Sequence, residues 1–86
     1  MFYVYILQSL KTGSYHVGQT DDLGGRVHKH NKGEVLSTKR LKPWTLVYYE
    51  KHETRSDAVV REREIKSRKK RKYIESLIHR GVAQPG

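Results

Sequence analysis

The stretch from Tyr3 to Thr20, YVYILQSLKTGSYHVGQT, constrains the fold more than any other part of the chain. Residues Tyr3 to Gln8 alternate and are rich in Tyr, Val and Ile, which predicts a strand. Gly13 is expected in the turn, because glycine adopts positive φ without steric cost, and Tyr15 to Gln19 is the returning strand. The polar aromatic side chains of this hairpin are costly to bury without partners. The hairpin is therefore either a sheet edge with its hydroxyls in water or part of a site.

The residues after the hairpin predict one more strand and three helices. Asp22 to Asn31 has helical spacing, with Thr20 or Asp21 as the expected N-cap. Trp44 to Glu50 reads as the third strand, and a second and a third helix are expected to begin at Thr54 and Ser67. Strict alternation along the third strand predicts two faces, with Trp44, Leu46 and Tyr48 on one and Thr45, Val47 and Tyr49 on the other.

This order of elements predicts an α+β fold with a three-stranded antiparallel sheet flanked by helices, in the order β-β-α-β-α-α. Eighty-six residues suit one domain. The domain is expected over residues 1–80, and residues 81–86 are expected to form a flexible tail.

The formal net charge of +9 favours a polyanionic partner, with nucleic acid first. DNA is the expected partner and RNA a second candidate. The chain has no cysteine, so it has neither a disulfide nor a thiolate metal site. It also has no apolar run long enough for a membrane span. These features suit a cytoplasmic protein of bacterial type, expected to be a monomer.

Two basic stretches are candidates for phosphate contacts, with solvated surface as the alternative, and the overall charge favours phosphate contact for the second. One lies in the polar connection before the third strand, and the other lies within SRKKRK. The candidate residues are Lys39, Arg40, Lys69, Lys70 and Arg71.

Helical spacing turns three ionisable side chains toward the interior. Arg26 and His30 share the apolar stripe of the first helix, and Glu62 shares that of the second, whereas Arg61 lies off it. A buried charge is rare without a partner. One interpretation is structural, with an internal Arg26–Glu62 salt bridge and His30 as a hydrogen-bonded core histidine.

The other interpretation is a site for phosphodiester hydrolysis. A carboxylate such as Glu62 can hold one hard divalent ion that keeps most of its waters. An arginine such as Arg26 can neutralise charge that develops on a phosphate. A tyrosine or histidine can take a proton from an attacking water.

Several short motifs, taken in order, resemble those of the GIY-YIG nuclease family, in particular its small single-domain UvrC-like branch. Tyr3-Val4-Tyr5 resembles the first family tripeptide and His16-Val17-Gly18 the second. The helical arginine of the family falls on Arg26, the polar residue one turn later on His30, and the metal-binding glutamate on Glu62. The resemblance covers Phe2 to Leu77, nearly the whole chain.

The resemblance implies a DNA endonuclease that uses one Mg²⁺ or Mn²⁺ ion held by Glu62. It implies that Tyr5 helps to deprotonate the attacking water, that Arg26 stabilises the transition state, and that His16 and His30 belong to the site. Substrates of structure- or damage-related DNA, with low sequence specificity, are expected.

Two departures from the family pattern leave an alternative open. His16 stands where the second motif usually has tyrosine, and the stretch from Lys72 to Ser76 lacks the asparagine that larger family members often have in the last helix. The alternative hypothesis is therefore a catalytically impaired nucleic-acid-binding module on the same fold.

Overall fold

The elements of the fold follow the order β-β-α-β-α-α that the sequence predicts. The computed structural model describes residues 1–68 and 70–80. Lys69 and the predicted tail over residues 81–86 lie outside the described residues. A short 3₁₀ turn, Lys39–Leu41, lies in the connection before the third strand. The bounds are β1 Phe2–Ser9, β2 Tyr15–Thr20, α1 Leu23–Lys32, β3 Trp44–His52, α2 Arg55–Arg68 and α3 Arg71–Arg80.

The sheet is antiparallel and has the strand order β2-β1-β3, so the first strand of the chain is the central one. Gly13 has φ of 78° in the turn between β1 and β2, as expected. Tyr5 lies opposite Gly18 on β2 and opposite Tyr49 on β3, and Leu7 lies opposite His16. Opposed residues of an antiparallel pair share a face. The hairpin register therefore places Tyr5 and His16 on the same face of the sheet.

An irregularity in β3 corrects the predicted alternation of that strand. The register against β1 shifts by one residue near Val47, and an extra residue in one strand reverses the facing of those that follow. Trp44 and Leu46 pack together with Tyr49 on one face, whereas Val47 and Tyr48 pack on the other. The prediction that Tyr48 shares the face of Leu46 is therefore wrong.

Each face of the sheet carries its own apolar cluster, and helices cover both. Each fully buried aliphatic or aromatic side chain contributes about 1.5–3 kcal/mol relative to an exposed one. The face under α1 holds Tyr5, Leu7 and Trp44, with Leu23, Val27, Leu41, Leu46 and Tyr49 around them. The face under α2 and α3 holds Val4, Ile6, Val17, Tyr48, Ala58, Ile65 and Leu77.

Helix α1 begins at Leu23, one residue later than predicted, and its N-cap is neither Thr20 nor Asp21. Asp22 caps it, and the Asp22 carboxylate accepts a hydrogen bond from the Gly25 N–H at 3.1 Å. Thr20 cannot be the cap because it ends β2, where it lies opposite Tyr3. Gly33 closes the helix with φ of 77°, a conformation that glycine adopts without strain.

Helix α2 begins after Thr54, whose hydroxyl accepts the Asp57 N–H at 3.1 Å. Its inward stripe contains Ala58 and Ile65, both fully buried, with Glu62 half-buried between them. Arg61 is also half-buried, contrary to expectation. The reason is an ion pair with Glu50 of β3, described below.

Candidate active site

Tyr5 is the central side chain of the site on the α1 face. It is 1% exposed. A Cβ atom built on Gly18 would lie 2.5 Å from the Tyr5 hydroxyl oxygen, Oη, so only glycine leaves room for the phenol ring at this register. Gly18 is the last residue of the motif His16-Val17-Gly18. The glycine of that motif therefore has a direct steric function in positioning Tyr5.

The Tyr5 hydroxyl contacts two of the inward residues predicted from the sequence. Oη lies 3.0 Å from Nε2 of His30 and 3.4 Å from Nε of Arg26. Arg26 and His30 are four residues apart on α1, so their side chains leave the same face of the helix. The structure thus brings Tyr5, Arg26 and His30 together across the sheet–helix interface.

One set of proton positions satisfies every group in this chain of hydrogen bonds. The guanidinium of Arg26 can only donate, so Oη of Tyr5 accepts from it. The Tyr5 O–H then donates to Nε2 of His30, and Nδ1–H of His30 donates to the Thr38 hydroxyl at 2.7 Å. The Thr38 hydroxyl donates in turn to the Val35 carbonyl oxygen at 3.4 Å. Neutral His30 therefore carries its proton on Nδ1 and offers Nε2 to Tyr5.

His16 is half-buried beside this chain. Its ring centroid lies 4.9 Å from that of His30, 6.2 Å from that of Tyr5 and 6.1 Å from that of Trp44. Burial lowers the pKa of His16 to about 4, and the neighbouring His30 and the charges of Lys66 and Arg26 act in the same direction. His16 is therefore neutral at pH 7, and a neutral imidazole has one unprotonated ring nitrogen that can accept a proton.

The other two groups are also uncharged at neutral pH. Burial lowers the pKa of His30, and the charge of Arg26 lowers it further. Burial raises the pKa of Tyr5, although the hydrogen bond and charge of Arg26 oppose this effect. The site thus consists of a neutral phenol and two neutral imidazoles next to one guanidinium, an arrangement suited to moving protons and attracting an anion.

Glu62 acts on this cluster from α2. Its charge raises the pKa of Tyr5, after the larger effects of burial and Arg26. Its carboxylate oxygen Oε2 lies 2.7 Å from Nζ of Lys66. Within residues 1–68 and 70–80 Glu62 pairs with Lys66 and not with Arg26, so the salt bridge of the structural interpretation does not form.

The donor chemistry at Glu62 fits one hard divalent ion shared with a substrate. The described part of the chain contains no group of three or more His, Asp or Glu side chains placed to cage a metal. Mg²⁺ commonly keeps several waters and binds through one or two carboxylates together with substrate phosphates. A single carboxylate, 18% exposed, satisfies that requirement.

Two contributors to the site have weak or no sequence signals. Thr38, 3% exposed, lies in the connection between α1 and β3, where no periodicity relates it to His30. Its carbonyl oxygen also accepts the indole N–H of Trp44 at 3.0 Å. Lys66 lies four residues after Glu62, and that spacing alone could have indicated the ion pair.

The predicted phosphate-contacting residues differ in their surroundings. Lys39 and Arg40 are exposed in the 3₁₀ turn, and Lys70 is exposed before α3. Arg71 is exposed but engaged within the protein: it donates to the Gly13 carbonyl oxygen at 3.1 Å, and its guanidinium carbon lies 4.7 Å from the Tyr15 ring centroid. Lys69, the fifth candidate, is outside the described residues.

The fold and this cluster define a class of protein: a small α+β domain with a tyrosine–histidine–arginine site on one face of an antiparallel sheet. The family model described as GIY-YIG catalytic domain matches residues 1–74. The chain belongs to the GIY-YIG family, as its motifs predict. Family membership implies an endonuclease and a nucleic-acid substrate.

Several curated relatives match almost the whole chain. UPF0213 proteins of Staphylococcus aureus strains Mu3, Mu50 and N315 are each 39% identical to it over 79 residues, covering 91% of this chain and 95% of theirs. No solved structure matches the chain significantly. Among the helices that the structure describes, none is long and apolar enough to cross a membrane.

Proposed function

We propose that this protein is a divalent-metal-dependent endonuclease that hydrolyses phosphodiester bonds in DNA. The observation that carries the proposal is the Tyr5 hydroxyl, which accepts from Nε of Arg26 and donates to Nε2 of His30. A buried phenol held in this way has a defined route for its own proton. It can therefore accept a proton from an attacking water as it passes its own to His30.

Arg26 supports the reaction through its fixed position. Its Nε is bound to Tyr5, and guanidinium has five N–H donors, so others remain available for a phosphate oxygen. A planar cation in a half-buried site stabilises negative charge that grows on the phosphate in the transition state. The overall charge of +9 also draws the polyanion toward the domain.

Glu62 would hold one Mg²⁺ or Mn²⁺ ion. When bound, the ion supplies Lewis-acid stabilisation of the phosphate and of the leaving oxygen. Glu62 supplies a hard oxygen ligand whose side chain is mostly buried, so the carboxylate is held in a restricted position.

His16 is a second proton acceptor within the same cluster. Its neutral ring at pH 7 can accept a hydrogen bond from a water or donate one to a phosphate oxygen. The domain is small and basic, which favours backbone contacts over base readout. We therefore expect structure- or damage-related DNA to be preferred with low sequence specificity. The cytoplasmic location, the monomeric state and the domain boundary at residue 80 stay predictions.

The test is cleavage of single-stranded, duplex and branched DNA of equal length with Mg²⁺ or Mn²⁺. Wild-type protein is compared with Tyr5→Phe, Arg26→Ala and Glu62→Gln, and with Glu64→Gln as a matched control on the same helix. We expect the wild-type protein to cleave DNA only with a divalent ion. The first three variants should cleave about 10²-fold or more slowly, and Glu64→Gln should cleave at the wild-type rate.

Two outcomes would contradict the proposal. Cleavage that survives in Glu62→Gln would show that the activity comes from a contaminant or from other residues. Binding to DNA with a steep salt dependence, but no cleavage with either ion, would favour the nucleic-acid-binding module instead. Gain of cleavage in His16→Tyr would then identify the histidine as the cause.

A further inference from the structure

Lys66 is a basic residue of α2 for which neither the family motifs nor the mechanism above has a function. Its Nζ lies 2.7 Å from Oε2 of Glu62, one helical turn earlier, and 52% of its side chain is exposed. Burial and the nearby His30 are the two largest causes that lower the pKa of His16, and the charge of Lys66 is the third. The same charge also lowers the pKa of Tyr5, as a minor effect. A flexible cation is therefore close both to the carboxylate and to the cluster on the sheet.

This position makes Lys66 a competitor for Glu62. An ammonium and a divalent ion that share one carboxylate repel each other, so the ion must weaken or displace the existing pair. The pair is partly exposed, which limits its strength. A pair of this kind changes a competing equilibrium by about two- to fivefold.

A bound phosphodiester would offer Lys66 a second partner. Lysine has a long flexible stem and binds phosphate as a point charge without fixed bidentate geometry. Moving from Glu62 to a phosphate oxygen requires only side-chain rotation of an exposed residue. The helix backbone and the buried neighbours Ala58 and Ile65 need not move.

We propose that Lys66 exchanges partners, pairing with Glu62 in the free protein and with the phosphodiester in the DNA complex, so that DNA binding frees Glu62 for the metal ion. This inference rests on the proposed function. It makes DNA binding and metal binding mutually favourable, and linkage requires the two enhancements to be equal. The metal ion is then held more tightly when substrate is present than when it is absent.

The experiment measures binding and not turnover. Mn²⁺ affinity without DNA is measured from the electron paramagnetic resonance signal of the free ion. DNA affinity without metal is measured by fluorescence anisotropy of a labelled oligonucleotide in EDTA. The variants are Lys66→Gln, Lys66→Arg and Glu62→Gln, with Lys72→Gln, an exposed lysine on α3, as the control for loss of one charge.

We expect Lys66→Gln to bind Mn²⁺ about two- to fivefold more tightly than wild type. It should bind DNA more weakly, with a salt dependence reduced by about one unit of slope. Lys66→Arg should bind Mn²⁺ like wild type, because it keeps the positive charge, and Lys72→Gln should leave Mn²⁺ affinity unchanged.

Three results would overturn the inference. If Glu62→Gln abolishes Mn²⁺ binding but Lys66→Gln leaves it unchanged, the metal site stands and partner exchange is wrong. If Lys66→Gln and Lys72→Gln raise Mn²⁺ affinity equally, the increase comes from the lower net charge of the protein and not from the Lys66–Glu62 pair. If Glu62→Gln has no effect on Mn²⁺ binding, both the inference and the proposed metal site are wrong.

Discussion

The hydroxyl of Tyr5 occupies space that any side chain on Gly18 would need, because a Cβ there would lie 2.5 Å from Oη. The two residues are direct neighbours across β1 and β2. The register of the hairpin and the position of the proposed reacting group therefore depend on each other.

Gly18→Ala is expected to displace the Tyr5 ring and break its hydrogen bond with His30. A displacement of about 1 Å in a reacting group can reduce a rate by about 10²-fold. We expect that loss in the cleavage assay, with the far-ultraviolet circular dichroism spectrum retained. Gly24→Ala is the matched control, since a Cβ there meets nothing within 4 Å. It should keep activity and raise stability by about 0.4–1 kcal/mol. Equal activities of the two variants would contradict the steric argument.

Thr38→Val is expected to disturb the proton position on His30 while preserving side-chain shape. Valine leaves Nδ1–H of buried His30 without its acceptor, which costs about 1–3 kcal/mol of unfolding free energy. Nitrogen-15 NMR of the histidine ring reports which nitrogen carries the proton. Thr38→Ser keeps the hydroxyl and should resemble wild type. A spectrum of His30 that is unchanged in Thr38→Val would refute the assigned chain of donors.

The two histidines of the site should make stability fall as the pH falls. Burial lowers the pKa values of both, that of His16 from 6.5 to about 4. Between those values the unfolded chain binds more protons than the folded protein, so acid favours unfolding. His16→Tyr removes one of the two groups. Urea unfolding between pH 4 and 6.5 should therefore depend less steeply on pH in this variant, and an equal slope would show that His16 titrates normally.

A second ionic network, on the α2 face, is also expected to make the free energy of unfolding decrease as the pH falls. Arg61 donates to both oxygens of Glu50 at 2.9 and 3.1 Å, and Glu50 also accepts from Tyr48 and His52. Burial would raise the pKa of Glu50, but the hydrogen bonds from Arg61, Tyr48 and His52 lower it. Its contribution is present above the unfolded carboxyl pKa, about 4.3, and is lost as the pH falls through the folded value.

Arg61→Met leaves the Glu50 carboxylate without its main partner. Both side chains are mostly buried, at 23% and 16% exposure. We expect a loss of about 1–3 kcal/mol at pH 7, below the loss for a fully buried pair. Arg63→Met, an exposed neighbour on the same helix, should change stability by less than about 0.5 kcal/mol. Chemical unfolding at pH 7 measures both, and similar small losses would mean that the network is only a surface pair.

Helical spacing was sufficient to place Arg26 and His30 on one inward stripe, which had to meet a face of the sheet. Tyr5 was identified by its resemblance to the family motif and not by spacing. The meeting of Arg26 and His30 with Tyr5 follows from packing one helix on one sheet. The order of elements and the antiparallel sheet followed from the strand and helical periods and the turn glycine.

Features that depend on tertiary contacts were not available from spacing. The extra residue near Val47 reverses the facing of Tyr48, because strand alternation cannot reveal a local change of register. Arg61 is drawn inward by Glu50, a residue on another element. Thr38 lies in irregular backbone, where only the folded connection brings its hydroxyl to His30.

Trp44 is the only tryptophan of the chain, and it forms part of the wall of the site. Its indole N–H is bound to the Thr38 carbonyl oxygen, and its ring is a neighbour of His16. The natural protein therefore contains an intrinsic fluorophore at the place where substrate is expected. Emission from this single indole offers an optical reading of ligand arrival at the site without any label or engineered probe.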